Sequence, residues 1–488
     1  MRSSIVDYSN TVGPAGVAGS PINLGLSDLV NNSDTLTISG VPTGWILSAG
    51  ADNGDGSWTV QTSDLASLTV TTPDTYVGAV ALKVATVQGD GNLNILTDNV
   101  EAYAPGNPIF AISGDDHLTG SSGDDTFVFS QPIGHDIVNS FDVAHDKVDL
   151  IGYAGFTSFA DVQTHLANDT SGNAMLTLGD GQSITFVGVD AGALTADDFL
   201  FEITPVTDNP DAMVVSDGAL LPLSGVVNNT GLIILRGEGN GADLELIQHG
   251  ITLQGGGQVI MTDDTSNAIF GTASDVLLTN VDNTISGAGQ IGQGQMTLVN
   301  EGTIIANYDD PIDIDTGANV VVNTGTLESN AAGGLIIHGD LSDEGLLWAN
   351  NGNVMVGGNV SGNGTAEISG NGTMEFGAAS NEHIAFDSDA SGTLKLDHSA
   401  DFSGVVAGFD GNDVLDLGDI AAANASFNFT ANEAGTGGTL QVTDGTHTAN
   451  INLQGQYATE NFHVAADAAG GTLVSYVLTG VTPPEQNH

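Results

Sequence analysis

The chain is expected to be all-β, and three observations carry that expectation. Sixty-seven glycines stand against 13 prolines in 488 residues. Short Val/Ile/Leu/Thr runs alternate with Gly/Asn/Asp/Ser turns, the pattern of strands punctuated by tight reversals. Almost no stretch repeats its apolar residues at helical spacing over a useful length. Hydrophobic residues make up 40% of the chain, enough to bury cores, so this is a globular sequence and not an acidic disordered tail.

Pro/Gly/Asn clusters at 104–108 and 204–210 coincide with shifts in composition and are placed as domain boundaries. Residues 1–105 carry alternating runs at 35–38, 58–60, 68–70 and 79–84, the spacing of an Ig-like β-sandwich, with Trp45 and Trp58 as core anchors. Asp52-Asn53-Gly54-Asp55-Gly56-Ser57-Trp58 has the look of an EF-hand loop but the wrong spacing and no Glu at the twelfth place, so it reads as a hairpin turn. This region also resembles the short sandwich repeats of large bacterial surface adhesins. Two helical pieces are expected, at 158–168, where Phe159, Val162 and Leu166 recur, and at 194–199.

Beyond residue 205 a turn-plus-strand phrase repeats: Asn229-Thr230-Gly231, Asn300-Glu301-Gly302, Asn323-Thr324-Gly325 and Asp343-Glu344-Gly345, each followed by two of Leu, Ile or Thr. The glycines lie 71, 23 and 20 residues apart. Intervals near 20 to 24 residues, with 71 divisible into three, fit the coils of a parallel β-solenoid over residues 206–400. Ile285, Ile304, Leu327, Leu347 and Ile368 are expected to stack inside it. An ordinary sandwich with repeated Asn-Gly hairpins is the alternative.

A second repeat links two distant segments. Phe141-Asp142 through Asp149-Leu150 recurs as Phe409-Asp410 through Asp416-Leu417. Each copy is followed by an Asp-Gly hairpin (Asp180-Gly181; Asp444-Gly445), an Ile-x-Phe or Ile-x-Leu strand, Gly188 or Gly455, and an acidic segment before Phe199 or Phe462. The same β-module is therefore expected twice, closing a stack of coils each time: within residues 106–205 and as a C-terminal cap over 401–480, before a tail at 481–488.

Charge restricts the function. Sixty Asp and Glu face five Lys and Arg, for a net charge of −55. Arg2, Lys83, Lys147, Arg236 and Lys395 are too few and too scattered to neutralise a phosphate backbone or an anionic bilayer. Such an imbalance opposes compaction unless cations from solvent screen it, and a divalent metal is the natural candidate. The absence of cysteine excludes disulfides, zinc thiolates and thiol chemistry. MRSSIVDYSN has no apolar h-region and no run reaches 18 apolar residues, so neither a Sec signal nor a transmembrane helix is expected.

The sharpest motif lies between Ile112 and Phe129. Gly114-x-Asp116-x-Leu118 is followed nine residues later by Gly123-x-Asp125-x-Phe127, with Gly120-Ser121 where two further glycines belong in the nonapeptide G-G-x-G-x-D-x-U-x. Gly134-x-Asp136-x-Val138 comes eleven residues after Gly123. Glycines permit turns whose carbonyls point inward, the aspartate adds an anionic oxygen, and calcium accepts six to eight such oxygens. Gly114, Asp116, Gly120, Gly123, Asp125, Gly134 and Asp136 are the candidate Ca2+ site residues. Asp142, Asp146 and Asp149 read as solvated loop or strand-end acids, of which only Asp146 is kept as a candidate.

Here the chain resembles the hemolysin-type calcium-binding (RTX) family of type I secreted bacterial proteins. The resemblance spans residues 112–201, because the family's usual continuation follows: F-D-x-x-x-D-x-V-D-L from Phe141, then L-G-D-G and L-T-x-D-D-F ending at Phe199. It implies a short parallel β-roll with a capping segment and calcium between alternate coils, so that Asp116 would pair with the Gly134–Asp136 turn. Asp125 has no partner turn in register.

Enzymatic readings lack their residues. There is no His-Glu-x-x-His and no Gly-x-Ser-x-Gly, and the eleven histidines lack zinc-site pairing. Arg236 near Asp243 and Glu245, or Asp309-Asp310, could serve a solenoid lyase or hydrolase, but each reads as a surface feature. The expectation is a secreted, non-enzymatic, calcium-binding structural or adhesive protein of the cell surface or extracellular matrix, exported by type I machinery and able to self-assemble into filaments or layers. Its partners would be further copies, a surface polysaccharide or a host receptor. A carbohydrate-binding or carbohydrate-active β-helix is the alternative.

Overall fold

The computed structural model describes residues 13–29, 33–89, 91–130 and 132–477. The N-terminal MRSSIVDYSN segment with Arg2 and the 481–488 tail lie outside the described residues. The protein is all-β, 50% strand and 7% helix, with about 15 turns of parallel β-solenoid. No helix among the described residues is long and apolar enough to cross a membrane. The chain packs as two units, one of residues up to 258 with 266–276, the other of 259–265 with 277 onward.

The first unit begins with antiparallel strands. Thr35–Ser39 lies between Ser57–Gln61 and Val77–Val87, which pairs in turn with Leu93–Tyr103. Thr69–Thr71 joins Pro21–Asn23 and Ile46–Leu47 in a separate sheet. Alternate side chains point inward, as a two-residue period demands, and form one core of Ile22, Ile38, Trp45, Leu68, Val70 and Leu82. Trp45 is 4% exposed, whereas Trp58 packs only partly buried against that core. The reason is register: Trp58 pairs with Asp52 of the short Ala51–Asp52 strand, at the hairpin that the 52–58 phrase forms.

The roll follows, with strands in two parallel rows. Asp116–Thr119, His135–Asn139 and Ser183–Phe186 form one row; Ile109–Ala111, Thr126–Ser130, Lys147–Ile151 and Phe199–Phe201 form the other. Leu118, Phe127, Phe129, Val138, Val148, Leu150, Ile184 and Phe186 fill the space between them, all fully buried. The expected helix at 158–168 is shorter: Phe159–His165 is helical, and Leu166–Asn168 turns into a strand paired with Ala174–Thr177. At 194–199 a single 3-10 turn, Ala196–Asp198, is capped reciprocally by Thr195 and Asp198 before Phe199 returns to strand.

In the second unit the coils from Leu277 to Phe376 contribute three strands each, and the coil of His383–Phe386 contributes two. One row of coils runs through Thr284–Gly287, Thr303–Ala306, Thr326–Ser329, Leu346–Asn350, Thr365–Ser369 and His383–Phe386, all parallel. Ile285, Ile304, Leu327 and Leu347 stack in register and are fully buried. Ile368 is also buried, but the residue on Leu347 is Ala366; Ile368 lies two places further along, between Ala349 and Phe386. A hydrophobic residue at either inward place satisfies the two-residue period, so periodicity alone left the choice open. The two copies of the repeated segment share part of their order of elements, although Phe199–Phe201 pairs parallel with Lys147–Ile151 whereas Phe462–Ala466 pairs antiparallel with Thr472–Tyr476. An antiparallel pair brings a strand parallel to the preceding coil (His135–Asn139 with Ser183–Phe186; Val405–Ala407 with Thr448–Gln454), and a 3-10 turn precedes Phe199 or Phe462.

Candidate functional site

The nonapeptide turns stand at the entries of the two roll rows, and the hydrogen bonds sort them into two sets. In the first, the N–H of Ile112 donates to Asp116 Oδ2 at 2.7 Å, closing the turn on its own aspartate. Gly134 N–H then donates to Gly114 O at 2.6 Å, and His135 N–H to Asp115 Oδ1 at 2.7 Å. Asp116 N–H reaches Asp136 Oδ1 at 3.2 Å. Glycine is required here: Gly114 has φ 129°, and a Cβ on Gly134 would collide with Gly114 O and Asp115 Oδ1.

The second set repeats the plan. Ser121 N–H donates to Asp125 Oδ2 at 2.5 Å and Gly123 N–H to Ser121 Oγ at 3.0 Å. Asp142 N–H closes on Asp146 Oδ2 at 2.8 Å, and Asp125 N–H donates to Asp146 Oδ1 at 3.0 Å. A Cβ on Gly120 would lie 2.8 Å from Ser140 O and 3.2 Å from Asp146 Oδ2. Asp116 thus meets Asp136, and Asp125, for which no partner turn in register was expected, meets Asp146. That partner turn, Asp142–Asp146, has no nonapeptide signature.

Asp116, Asp125, Asp136 and Asp146 are between 0 and 3% exposed, and Asp149 is 1% exposed. Asp146 and Asp149 are therefore not solvated acids; only Asp142 is exposed. Burial raises Asp116 and Asp136 well above the usual carboxylate range, and the charge of Asp116 pushes Asp136 further. Burial also raises Asp125, and takes Asp146 and Asp149 up to about 6. None of the roll carboxylates has a Lys or Arg ion-pair partner among the described residues; Lys395 is engaged with Glu375 at 2.6 Å and Asp397 at 3.4 Å.

Glu101 and Glu245 were not legible as part of the site. Tyr103 donates its hydroxyl to Glu101 Oε2 at 2.8 Å and Asn99 its amide to Oε1 at 2.9 Å. Burial, then the charge of Asp116, raises Glu101 well above its ordinary range, and burial beside Asp243 takes Glu245 to about 7. No spacing in the chain ties these strand residues to the nonapeptides. Among the other residues weighed, Asp243 is buried, while Arg236 and Asp309 stand exposed.

The donor set suits a hard cation in kind: carboxylate and turn carbonyl oxygens, no nitrogen or sulfur. Asp116 Oδ1 and Asp136 Oδ2 are buried with no hydrogen-bond partner, an expensive arrangement that a bound cation would relieve. Among the described residues no group of three or more His, Asp or Glu side chains converges as a metal-holding cluster, so carbonyls would have to complete the coordination. Comparison of the chain with family models, curated proteins and solved structures gives no match.

Proposed function

We propose that this chain is a secreted, non-catalytic, calcium-stabilised structural protein that acts in adhesion or matrix building at a bacterial surface, as its likeness to the RTX family implies. The observation that carries the proposal is the pairing of buried aspartates across coils at both sets of turns, with orphaned oxygens on Asp116 and Asp136 and no Lys or Arg ion-pair partner among the described residues. Asp116 with Asp136, and Asp125 with Asp146, would hold Ca2+ together with turn carbonyls from Gly114, Gly120, Gly123 and Gly134. Bound calcium supplies the positive charge that these carboxylates lack.

In this proposal the calcium-poor cytoplasm leaves a chain of net charge −55 extended and threadable through type I machinery. External calcium then binds the folded state alone and stabilises it by mass action. The antiparallel N-terminal strands serve as an Ig-like sandwich module, the two repeated modules as caps over open coil edges, and the repetitive faces as surfaces for assembly with further copies. The test is melting and small-angle scattering with calcium and with chelator. Chelation is expected to lower the melting temperature and expand the chain; identical curves in both conditions would remove the proposal.

A second reading, saccharide binding, is favoured by one outward row of the solenoid. Glu328, Trp348 and Glu367 stand in register on successive coils. Trp348 Nε1 donates to Ser369 Oγ at 2.9 Å, and that hydroxyl donates to Asp387 Oδ2 at 2.7 Å. Glu328 is buried and accepts from Asn330 and Asn350, so the half-buried Trp348 and Glu367 are what this row offers a sugar for stacking and hydrogen bonding. Binding of acidic and neutral polysaccharides, lost in Trp348→Ala, would support it; equal retention by both proteins would oppose it.

A further inference from the structure

The Asn-x-Gly phrase of the second unit builds a buried ladder, and the way that ladder ends creates a site. Asn280 Nδ2 donates to Asn300 Oδ1 at 2.9 Å, Asn300 Nδ2 to Asn323 Oδ1 at 2.8 Å, and Asn323 Nδ2 to Asp343 Oδ1 at 2.6 Å. All four side chains are fully buried. The glycines two residues on make room for them: a Cβ on Gly302 or Gly345 would lie 2.8 Å from the amide nitrogen of Asn280 or Asn323. Each asparagine is donor and acceptor at once, so the ladder propagates from coil to coil without leaving a polar atom unmatched.

Asp343 breaks that rule, because a carboxylate accepts and cannot donate onward. Its Oδ2 has no partner. The residue that follows it in register is Gly362, which offers no side chain. The column of small residues through Gly302, Gly325, Gly345 and Gly364 then changes character. Thr365 pairs with His383, which sets Glu382 beside Gly364. Glu382 is 1% exposed and neither of its carboxyl oxygens has a partner. Burial first, then the charge of Asp343, raises its pKa to about 8. Gly345 O borders the same place, 3.0 Å from where a Cβ on Gly364 would sit.

We propose that Asp343 and Glu382 hold a divalent cation of the calcium type between them, beside Gly362 and Gly364, at the point where the amide ladder runs out of donors. Three orphaned carboxylate oxygens in one dry place match a hard ion. The site lies in the second unit and is independent of the roll aspartates, so it stands or falls separately from the proposed function.

The test counts ions. The full chain is equilibrated at about 1 mM calcium, the range of extracellular sites, and bound metal is measured by equilibrium dialysis for the wild type, Asp343→Asn, Glu382→Gln and Asp136→Asn. Asp343→Asn extends the amide ladder and gives Glu382 a donor, so it is expected to fold, to bind one ion fewer per chain, and to lose part of the calcium dependence of melting. Glu382→Gln is expected to lose the same ion, which keeps the test informative if one variant fails to fold. Asp136→Asn is expected to lose roll ions only. A count unchanged in both Asp343→Asn and Glu382→Gln overturns the proposal. So does an unchanged count with a stability transition near pH 8 that vanishes in Asp343→Asn, which would assign the site to a shared proton.

Discussion

Asp125 donates its backbone N–H to the carboxylate of Asp146 at 3.0 Å, twenty-one residues on, and Asp116 does the same to Asp136 at 3.2 Å, twenty residues on. The two links are one device used at the entries of different strand rows: Asp116 opens the row of Asp116–Thr119, and Asp125 precedes that of Thr126–Ser130. Each carboxylate oxygen that is satisfied is satisfied by backbone or by Ser121, never by a cationic side chain.

Two separate links should give two separable contributions from calcium. A ligand at a hundred times its dissociation constant stabilises the folded state by about 2.7 kcal/mol per site. Asp136→Asn and Asp146→Asn are each expected to remove one such increment from the calcium-induced rise in melting temperature, and the double variant to remove both, as for sites without shared partners. Calorimetry at matched calcium checks this. Full retention of the calcium effect by the double variant would contradict it.

The pH dependence without metal has a definite sign. Folding raises the pKa values of Asp116, Asp125, Asp136 and Asp146, so between pH 4 and the folded values the native state holds protons that the unfolded chain has released. Stability is then fully present below about pH 4 and is lost as pH rises through about 6 for Asp146 and Asp149 and about 7 for Glu245. Turn aspartates such as Asp444, lowered by backbone N–H donors, act in the opposite sense only at more acidic pH. In chelator the protein is expected to melt higher at pH 5 than at pH 7.5, and calcium, which competes with those protons, should flatten the difference. A chelated melting temperature that climbs with pH would refute the assignment.

The sequence revealed whatever was periodic. The resemblance to the RTX family implied that Asp116 would meet the Gly134–Asp136 turn, where its N–H does reach Asp136, and the Asn-x-Gly phrase located coils whose inward residues Ile304, Leu327 and Leu347 do stack. What it hid depends on contacts between residues that share no local pattern. Asp146 follows a turn without glycine, so nothing in its neighbourhood marked it as the partner of Asp125. Glu101 sits in a strand whose alternation resembles that of its neighbours, and only the fold sets its carboxyl in the field of Asp116. The asparagines were read as turn formers, yet their side chains point inward as a ladder. A turn preference and a buried amide role draw on the same residue type.

Gly325 of the Asn-x-Gly phrase should differ sharply from Gly339 in its tolerance of a methyl group. A Cβ on Gly325 would run into Gly302 O, a backbone atom that cannot move without disturbing the coil, whereas a Cβ on Gly339 would meet its nearest atoms at 3.7 Å. Gly325→Ala is expected to cost about 1–3 kcal/mol from overpacking, and Gly339→Ala to stay within about 0.5 kcal/mol. Denaturant unfolding of both variants measures the contrast, and equal effects would mean that the close approach is relieved elsewhere.

Removing one rung of the ladder tests whether its amides act together. Asn300 accepts from Asn280 and donates to Asn323 Oδ1 and to Thr326 O at 3.1 Å, so Asn300→Ala strands a buried donor on one neighbouring coil and buried acceptors on the other. Each unsatisfied group costs about 1–3 kcal/mol, while Asn300→Asp keeps an acceptor for Asn280 but turns two donors into a second buried carboxylate. Asn300→Ala is therefore expected to lose about 2–5 kcal/mol, and Asn300→Asp to be comparably unstable at pH 8 and to recover as the acid is protonated towards pH 5. Solenoid coils depend chiefly on their nearest neighbours, so hydrogen exchange should rise first in the strands of Asn280, Asn300 and Asn323. A uniform rise over the whole second unit would instead mean that the coils open as one cooperative block.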